Sequence, residues 1–230
     1  RIAVVGGGAA GVSVASNLKD VFADKEVHLF HGQDRILPSY PAKVREDMER
    51  RLVRQGVVLH PRHRAKLAPD FAGDVLAAGR IEWTHDAPPF DADLVVYALG
   101  RQRPNTAFLP PAMLDADGFV RVDDRLRVPG FEGVFAVGDV AASDPERSSA
   151  RNGGALVAAH NVRALLEGRP ERMKVFTPPR HRWGSIVGPQ REGLRVYAPT
   201  GSSMRIPPWI VEKILFPWIV RRGMYGGVRD

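Results

Sequence analysis

Three glycines at the spacing Gly6-x-Gly8-x-x-Gly11, inside RIAVVGGGAAGVSVASNL, are the residues of this chain best suited to holding a ligand. Gly6 permits a tight turn, Gly8 lets the backbone approach a pyrophosphate, and Gly11 lets a helix pack closely on the preceding strand. A helix beginning at Ala9 turns its free N–H groups and positive dipole end toward an anion. His31 follows the run EVHLF, at the place where such a unit meets the adenosine ribose: a carboxylate there favours a free 2′-OH, and a nearby base favours a 2′-phosphate. FHGQDR supplies His31 and then Arg35, so NADH and NADPH both stay open. In VFAVGDVA, Gly138 is followed by Asp139, a carboxylate suited to accept a hydrogen bond from a polyol. No Ser/His/Asp arrangement stands out, and His60, His63 and His85 lack zinc-like spacing, so no metal is expected.

These groups need elements to position them. Arg1 to Val5 is β-branched and apolar, as a buried parallel strand requires, and Ala9 to Leu18 follows as a helix. EVHLF (26–30) is the second strand of a βαβ unit. Ser39 and Pro41 open a helix carrying Val44, Met48 and Leu52 at helical spacing until Gly56 stops it, and VVLH is the next strand. GDVLAAGRIEWTHD predicts a β-ribbon turning at Gly79, and DADLVVYALG a buried strand ending at Gly100. Further on, GFVRVDDRLRV and GVFAVGDVAA read as strands, the latter over Val134 to Val137. Residues 150–166 read as a helix with Leu156, Val157, His160 and Ala164 on one face. Residues 168–179 are Pro-rich and basic, as in a linker, and RWGSIVG with LRVYA predicts a hairpin.

Composition sets outer bounds. The 230 residues can bury a sizeable core, and 44% of them are hydrophobic, which excludes a disordered chain. There is no cysteine, hence no disulfide framework, Cys-ligated metal or redox dithiol in this chain. The formal charge of +7 favours anionic partners. Its basic residues are dispersed among acidic ones without interleaved aromatics, so no nucleic acid is expected. No apolar run approaches the ~20 residues of a membrane span, and no signal-peptide pattern is present. The chain begins at Arg1, directly on a core strand, and an upstream segment is expected.

Taken together, the glycine motif, DRILP after the second strand, VVYALGRQRPNT, VFAVGDVA and the helix after it resemble the two-dinucleotide-binding flavoprotein reductases. The likeness is to the apoptosis-inducing-factor-like and ferroptosis-suppressor-like NAD(P)H:quinone oxidoreductases, with type II NADH dehydrogenases next. It covers nearly the whole chain. The fold it implies is α/β: a Rossmann-like NAD(P)-binding domain at 1–112, the C-terminal half of a split FAD-binding domain at 113–170, and a C-terminal hairpin and amphipathic helix at 171–230. Gly6, Gly7, Gly8, Ala9, Ala10 and Gly11 would hold the NAD(P)H pyrophosphate, Gly100 would border the nicotinamide, and Asp139 after Gly138 would bind the FAD ribityl chain. Ser13 stands where relatives often carry a glutamate near the nicotinamide, and no side chain is assigned a catalytic role. The glycine-rich turn of an N-terminal FAD half is absent from the sequence.

The resemblance implies an FAD-dependent NAD(P)H oxidoreductase with a quinone-like acceptor, present as a fragment. A ferredoxin-type reductase and a non-catalytic NAD(P)-binding module are the alternatives. In PPWIVEKILFPWIVRRGMYGG, aromatic and apolar residues precede Arg221 and Arg222. This pattern over 207–222 fits a helix lying in a membrane surface. Packing on the hairpin or in a homodimer is the preferred reading for the residues before Pro217, which interrupts the helix. The expected location is cytoplasmic, at the inner face of the membrane if that contact exists.

Overall fold

The computed structural model describes residues 1–68, 71, 77–100, 104–145, 147–150, 152–178 and 184–219. The chain divides into two compact units, one formed by Arg1–Gly100 with Arg182–Asp230 and the other by Arg101–His181.

The first unit is built on strands β1 (Ile2–Val5), β2 (Val27–Phe30), β3 (Val57–His60), β4 (Ala77–Ile81) and β5 (Phe90–Tyr97), in the order β3-β2-β1-β5-β4. β1, β2, β3 and β5 run parallel, and β4 closes one edge antiparallel to β5. Helices α1 (Ala9–Val21) and α2 (Ala42–Gln55) connect β1 to β2 and β2 to β3. β1 is apolar throughout because it is covered on both faces. Val4 joins Val12, Leu29, Met48 and Leu52 in one core, while Ala3 and Val5 join Phe30, Ile81, Trp83 and Val95 in the other. The strand order reverses at β1, which has β2 and then β3 on one side and β5 and then β4 on the other, and α/β folds of this kind open a ligand crevice at that reversal, outside the carboxyl ends of the strands.

Gly79 does not make the expected turn. It lies within β4, where the pairing with β5 shifts register between Ala77 and Gly79, so the glycine marks a bulge in an edge strand.

A three-stranded antiparallel sheet, β6 (Pro189–Gln190), β7 (Gly193–Tyr197) and β8 (Ser203–Ile206), belongs to the same unit. LRVYA forms β7 as expected, but its main partner is β8; among the described residues of RWGSIVG, Gly184 bridges Tyr197. This sheet docks on α1 and α2 through buried polar groups. Gln190 donates to the Ser16 Oγ (2.9 Å) and accepts from Arg51 (2.6 Å), and the Tyr197 hydroxyl donates to Asp47 (2.7 Å). After β8 a helical segment runs from Pro208 through Ile219, mostly in π-helical form, and Pro217 does not end it. Val211 is buried, whereas Trp209, Ile214, Phe216, Trp218 and Ile219 are exposed. No helix of the described residues is long and apolar enough to cross a membrane.

In the second unit, Val134 to Val137 do not form a strand. Only Phe135 pairs, bridging Arg127, because the left-handed residues Leu126, Gly130 and Gly133 bend the chain too often for a longer ladder. Helix α3 spans Gly154–Leu166, beginning after Gly153 at φ +78°, and its inner face is Gly154, Ala158, Asn161 and Ala164, with Leu156 left exposed. Asn161 is fully buried: its amide donates to the carbonyls of Arg125 and Lys174 (both 2.9 Å) and its oxygen accepts from the Lys174 N–H (2.7 Å). The expected linker is therefore tied to α3 through Lys174, and its Met173 and Phe176 are buried.

Candidate functional site

The turn between β1 and α1 separates its glycines by role. A Cβ on Gly6 would stand 2.1 Å from the Ala98 carbonyl oxygen, and one on Gly11 would stand 1.8 Å from the Gly6 oxygen. Both are therefore closed by backbone, and Gly6 also has φ +134°. A Cβ on Gly7 would strike the His31 side chain at 2.6 Å. Gly8 is different. Its Cβ would meet nothing within 4 Å, and Gly8 and Ala10 are exposed. Gly8 is also the N-cap of α1, which has no side-chain cap and no acidic residue in its first turn. Four N–H groups at a helix start lack intrahelical partners, so the turn leaves donors, dipole and open space at one point. That is a cradle a pyrophosphate fits.

The loop after β2 is tied to this turn. Gly6 N–H donates to the Phe30 carbonyl (2.8 Å), and Leu37, left-handed at φ +53°, donates its N–H to the Gly7 carbonyl (2.7 Å). His31 is buried against Gly7, its Nδ1 has no hydrogen-bond partner, and burial lowers its pKa below the ordinary histidine value. Arg35 points elsewhere: its guanidinium donates to Glu49 at 2.5 Å and lies 3.7 Å from Glu46. Another cation stands nearer. A Cβ on Gly32, the residue after His31, would come within 3.2 Å of both Cβ and Nε of Arg64, so the Arg64 side chain lies across Gly32. Arg64 is exposed and has no ion pair or side-chain hydrogen bond among the described residues. Sequence reading missed it because it arrives from the chain after β3.

Ser13 lies on α1, where its Oγ accepts from the Asn17 amide (3.3 Å), which also donates to Val187. Gly100 adopts φ +69° in open space after β5. In the second unit, Gly138 adopts φ +103° and its N–H is held by the Ser149 hydroxyl (2.8 Å), which leaves Asp139 exposed. Among the described residues the exposed Asp139 carboxylate has no ion pair or side-chain hydrogen bond, and its oxygens can accept from a hydroxylated chain.

One face of the sheet carries an aromatic cluster. Phe30 stacks on His60 (4.2 Å between centroids) beside Trp83 and Phe90, and His28 Nδ1 meets His60 Nε2 at 2.9 Å. Burial, followed by the neighbouring His28, His63 and His31, lowers the His60 pKa to about 4. Among the described residues no group of three His, Cys, Asp or Glu side chains could hold a metal ion.

A family model described as "Pyridine nucleotide-disulphide oxidoreductase" matches residues 1–163. The chain is 28% identical to FAD-dependent oxidoreductase FVFD30 of Flammulina velutipes, over 76% of this chain and 53% of that protein. It is 31% identical to ferroptosis suppressor protein 1 of Xenopus laevis, over 77% of this chain and 48% of that protein. The chain thus spans about half the length of these relatives. Among solved structures, the Cu(II) complex of the flavoprotein disulfide reductase RclA from Escherichia coli superposes with a TM-score of 0.62 at 20% identity, covering 86% of this chain and 42% of that one. LpdA from Mycobacterium tuberculosis gives a TM-score of 0.60 at 20% identity, covering 92% and 41%. At these identities the superpositions establish the fold.

Proposed function

The chain belongs to the pyridine nucleotide-disulphide oxidoreductase family, and on that premise we propose that it is the NAD(P)H-binding part of an FAD-dependent NAD(P)H oxidoreductase that delivers electrons to a quinone-like acceptor. The observation that carries this reading is the open space at Gly8, at the uncapped start of α1, beside two glycines that the backbone itself closes. A glycine that packing does not require is explained by a ligand that needs its backbone bare. Bound nicotinamide and flavin supply the hydride and electron chemistry; the protein supplies position and electrostatics.

In this reading the N–H groups at the start of α1 hold the pyrophosphate, and Gly100 borders the nicotinamide end. Asp139 accepts a hydrogen bond from the flavin's ribityl chain. The adenosine ribose lies against His31 and Gly32. No carboxylate stands at position 31 to pair with a free 2′-OH, and Arg35 is committed to Glu49. Arg64, lying across Gly32 without a partner, takes the 2′-phosphate, so the site accepts NADPH as well as NADH. A quinone-like acceptor is what the resemblance of the sequence motifs to the NAD(P)H:quinone oxidoreductases implies. Such an acceptor would be met at a membrane surface, and the exposed Trp209, Phe216 and Trp218 supply an apolar face for that contact. The test is the visible absorption of the protein loaded with FAD, before and after anaerobic addition of NADH and then NADPH. Bleaching of the flavin band supports the proposal; a bound flavin that stays oxidised under saturating nucleotide refutes it.

A further inference from the structure

At the end of the parallel strands opposite the glycine-rich turn, where α2 ends before β3, a positively charged cavity opens. It encloses about 300 Å³ and is lined by Arg51, Arg54, Gln55, Glu192, Arg195 and Arg205. Four guanidinium groups share it with one carboxylate. Arg195 and Arg205 are directly paired across β7 and β8, a juxtaposition of like charges that weakens a two-stranded ladder. Arg195 is partly neutralised by Asp47 (3.3 Å), but Arg205 and Arg54 have no ion pair or side-chain hydrogen bond among the described residues. Arg51 is 95% buried. One of its terminal nitrogens donates to Gln190 and the other is 3.9 Å from Glu192, too far for a hydrogen bond, while its Nε has no partner. The Arg195 Nε is buried without an acceptor as well. Facing cations with one nearby carboxylate between them are unfavourable, and an anion in the cavity offsets their charge.

We infer that this cleft is a binding site for a phosphate group, separate from the nucleotide turn. Guanidinium groups match phosphate oxygens bidentately, and a cavity of this size admits a phosphate with a small organic substituent. The phosphate belongs to a soluble phosphorylated molecule or to a phospholipid headgroup, and the chemistry of recognition is the same for both. The inference does not depend on the oxidoreductase reading, since none of these residues contacts the glycine-rich turn.

The test compares the wild-type chain with R54A/R205A, both exposed positions whose truncation spares the buried network around Gln190. Calorimetric titration with inorganic phosphate at constant ionic strength forms one arm. Co-sedimentation with vesicles of phosphatidylcholine, with and without phosphatidylglycerol, forms the other. The expected result is saturable binding in at least one arm, weakened tenfold or more in R54A/R205A. Binding to free phosphate identifies a soluble ligand; binding only to the anionic vesicles identifies the headgroup. In the absence of phosphate, R205A is further expected to raise the melting temperature, because it removes the cation facing Arg195. Absence of saturable binding in both arms overturns the inference. So does binding that the double variant leaves unchanged, which would place the phosphate at the helix start after Gly8.

Discussion

Replacing Arg64 with alanine separates the two nicotinamide donors. The side chain lies across Gly32, immediately after His31, the residue proposed to face the adenosine ribose, and it has no ion pair among the described residues. A unit charge pair at about 4 Å is worth about 1 kcal/mol in water and about 4 kcal/mol near a protein surface. Arg64 is exposed, so the lower part of this range applies, about 1.5–2 kcal/mol with the charge-assisted hydrogen bond included. At 1.4 kcal/mol per factor of ten, that is roughly a 10–30-fold loss of affinity for NADPH. NADH has no phosphate at this position, and its affinity is expected to stay within about twofold of wild type on the same scale. Arg35→Ala serves as the internal comparison: it breaks the pair with Glu49, lowers stability slightly, and leaves both nucleotides bound as before. Dissociation constants for each nucleotide, measured by calorimetry on the three proteins, decide the matter. Equal losses for NADH and NADPH in R64A, or a selective loss in R35A, would refute the assignment.

Other perturbations test separate parts of the account. G8A is expected to be as stable as wild type or about 0.4–1 kcal/mol more stable, because Gly8 has φ −76° and open space, yet to lose nucleotide binding in titration. G11A drives a Cβ into the Gly6 carbonyl and should lose about 1–3 kcal/mol or more in urea unfolding. Y197F removes the hydroxyl that donates to Asp47, and its urea midpoint should report a loss of about 1.5 kcal/mol. His60 titrates near 4 in the folded chain and near 6.5 when unfolded, so the unfolded state takes up the proton first as pH falls. Stability should therefore decline from about pH 6.5 down to about 4 and then level off, by at most about 1.4 kcal/mol per pH unit and less for a half-buried ring screened by solvent. Urea midpoints across that range should show the decline, and H60F should flatten it.

The β1–α1–β2 core and the glycine turn were legible because each rests on a local pattern: an apolar strand, a helical period and glycines at a fixed spacing. The docking of the β6–β8 sheet was not, because Gln190, Ser16, Arg51 and Tyr197 hold it through side-chain hydrogen bonds that leave no periodicity in the sequence. The α3 face was misjudged for a related reason: Asn161 reads as polar surface, but it is buried to satisfy three backbone groups. Gly79 showed that a glycine between β-prone residues can mark a bulge as well as a turn. At the candidate site, the spacing of His31 from the turn is legible in the sequence, whereas Arg64 comes from the chain after a parallel neighbouring strand and Arg35 is engaged by a helix whose register the motif does not contain.

The most direct measurement is calorimetric titration of the 230-residue chain with NADH and with NADPH. The account predicts saturable binding at one site per chain for both nucleotides, abolished in G8A while the variant's melting curve stays intact. Failure of the folded wild-type chain to bind either nucleotide, or binding that G8A leaves unaltered, would contradict it.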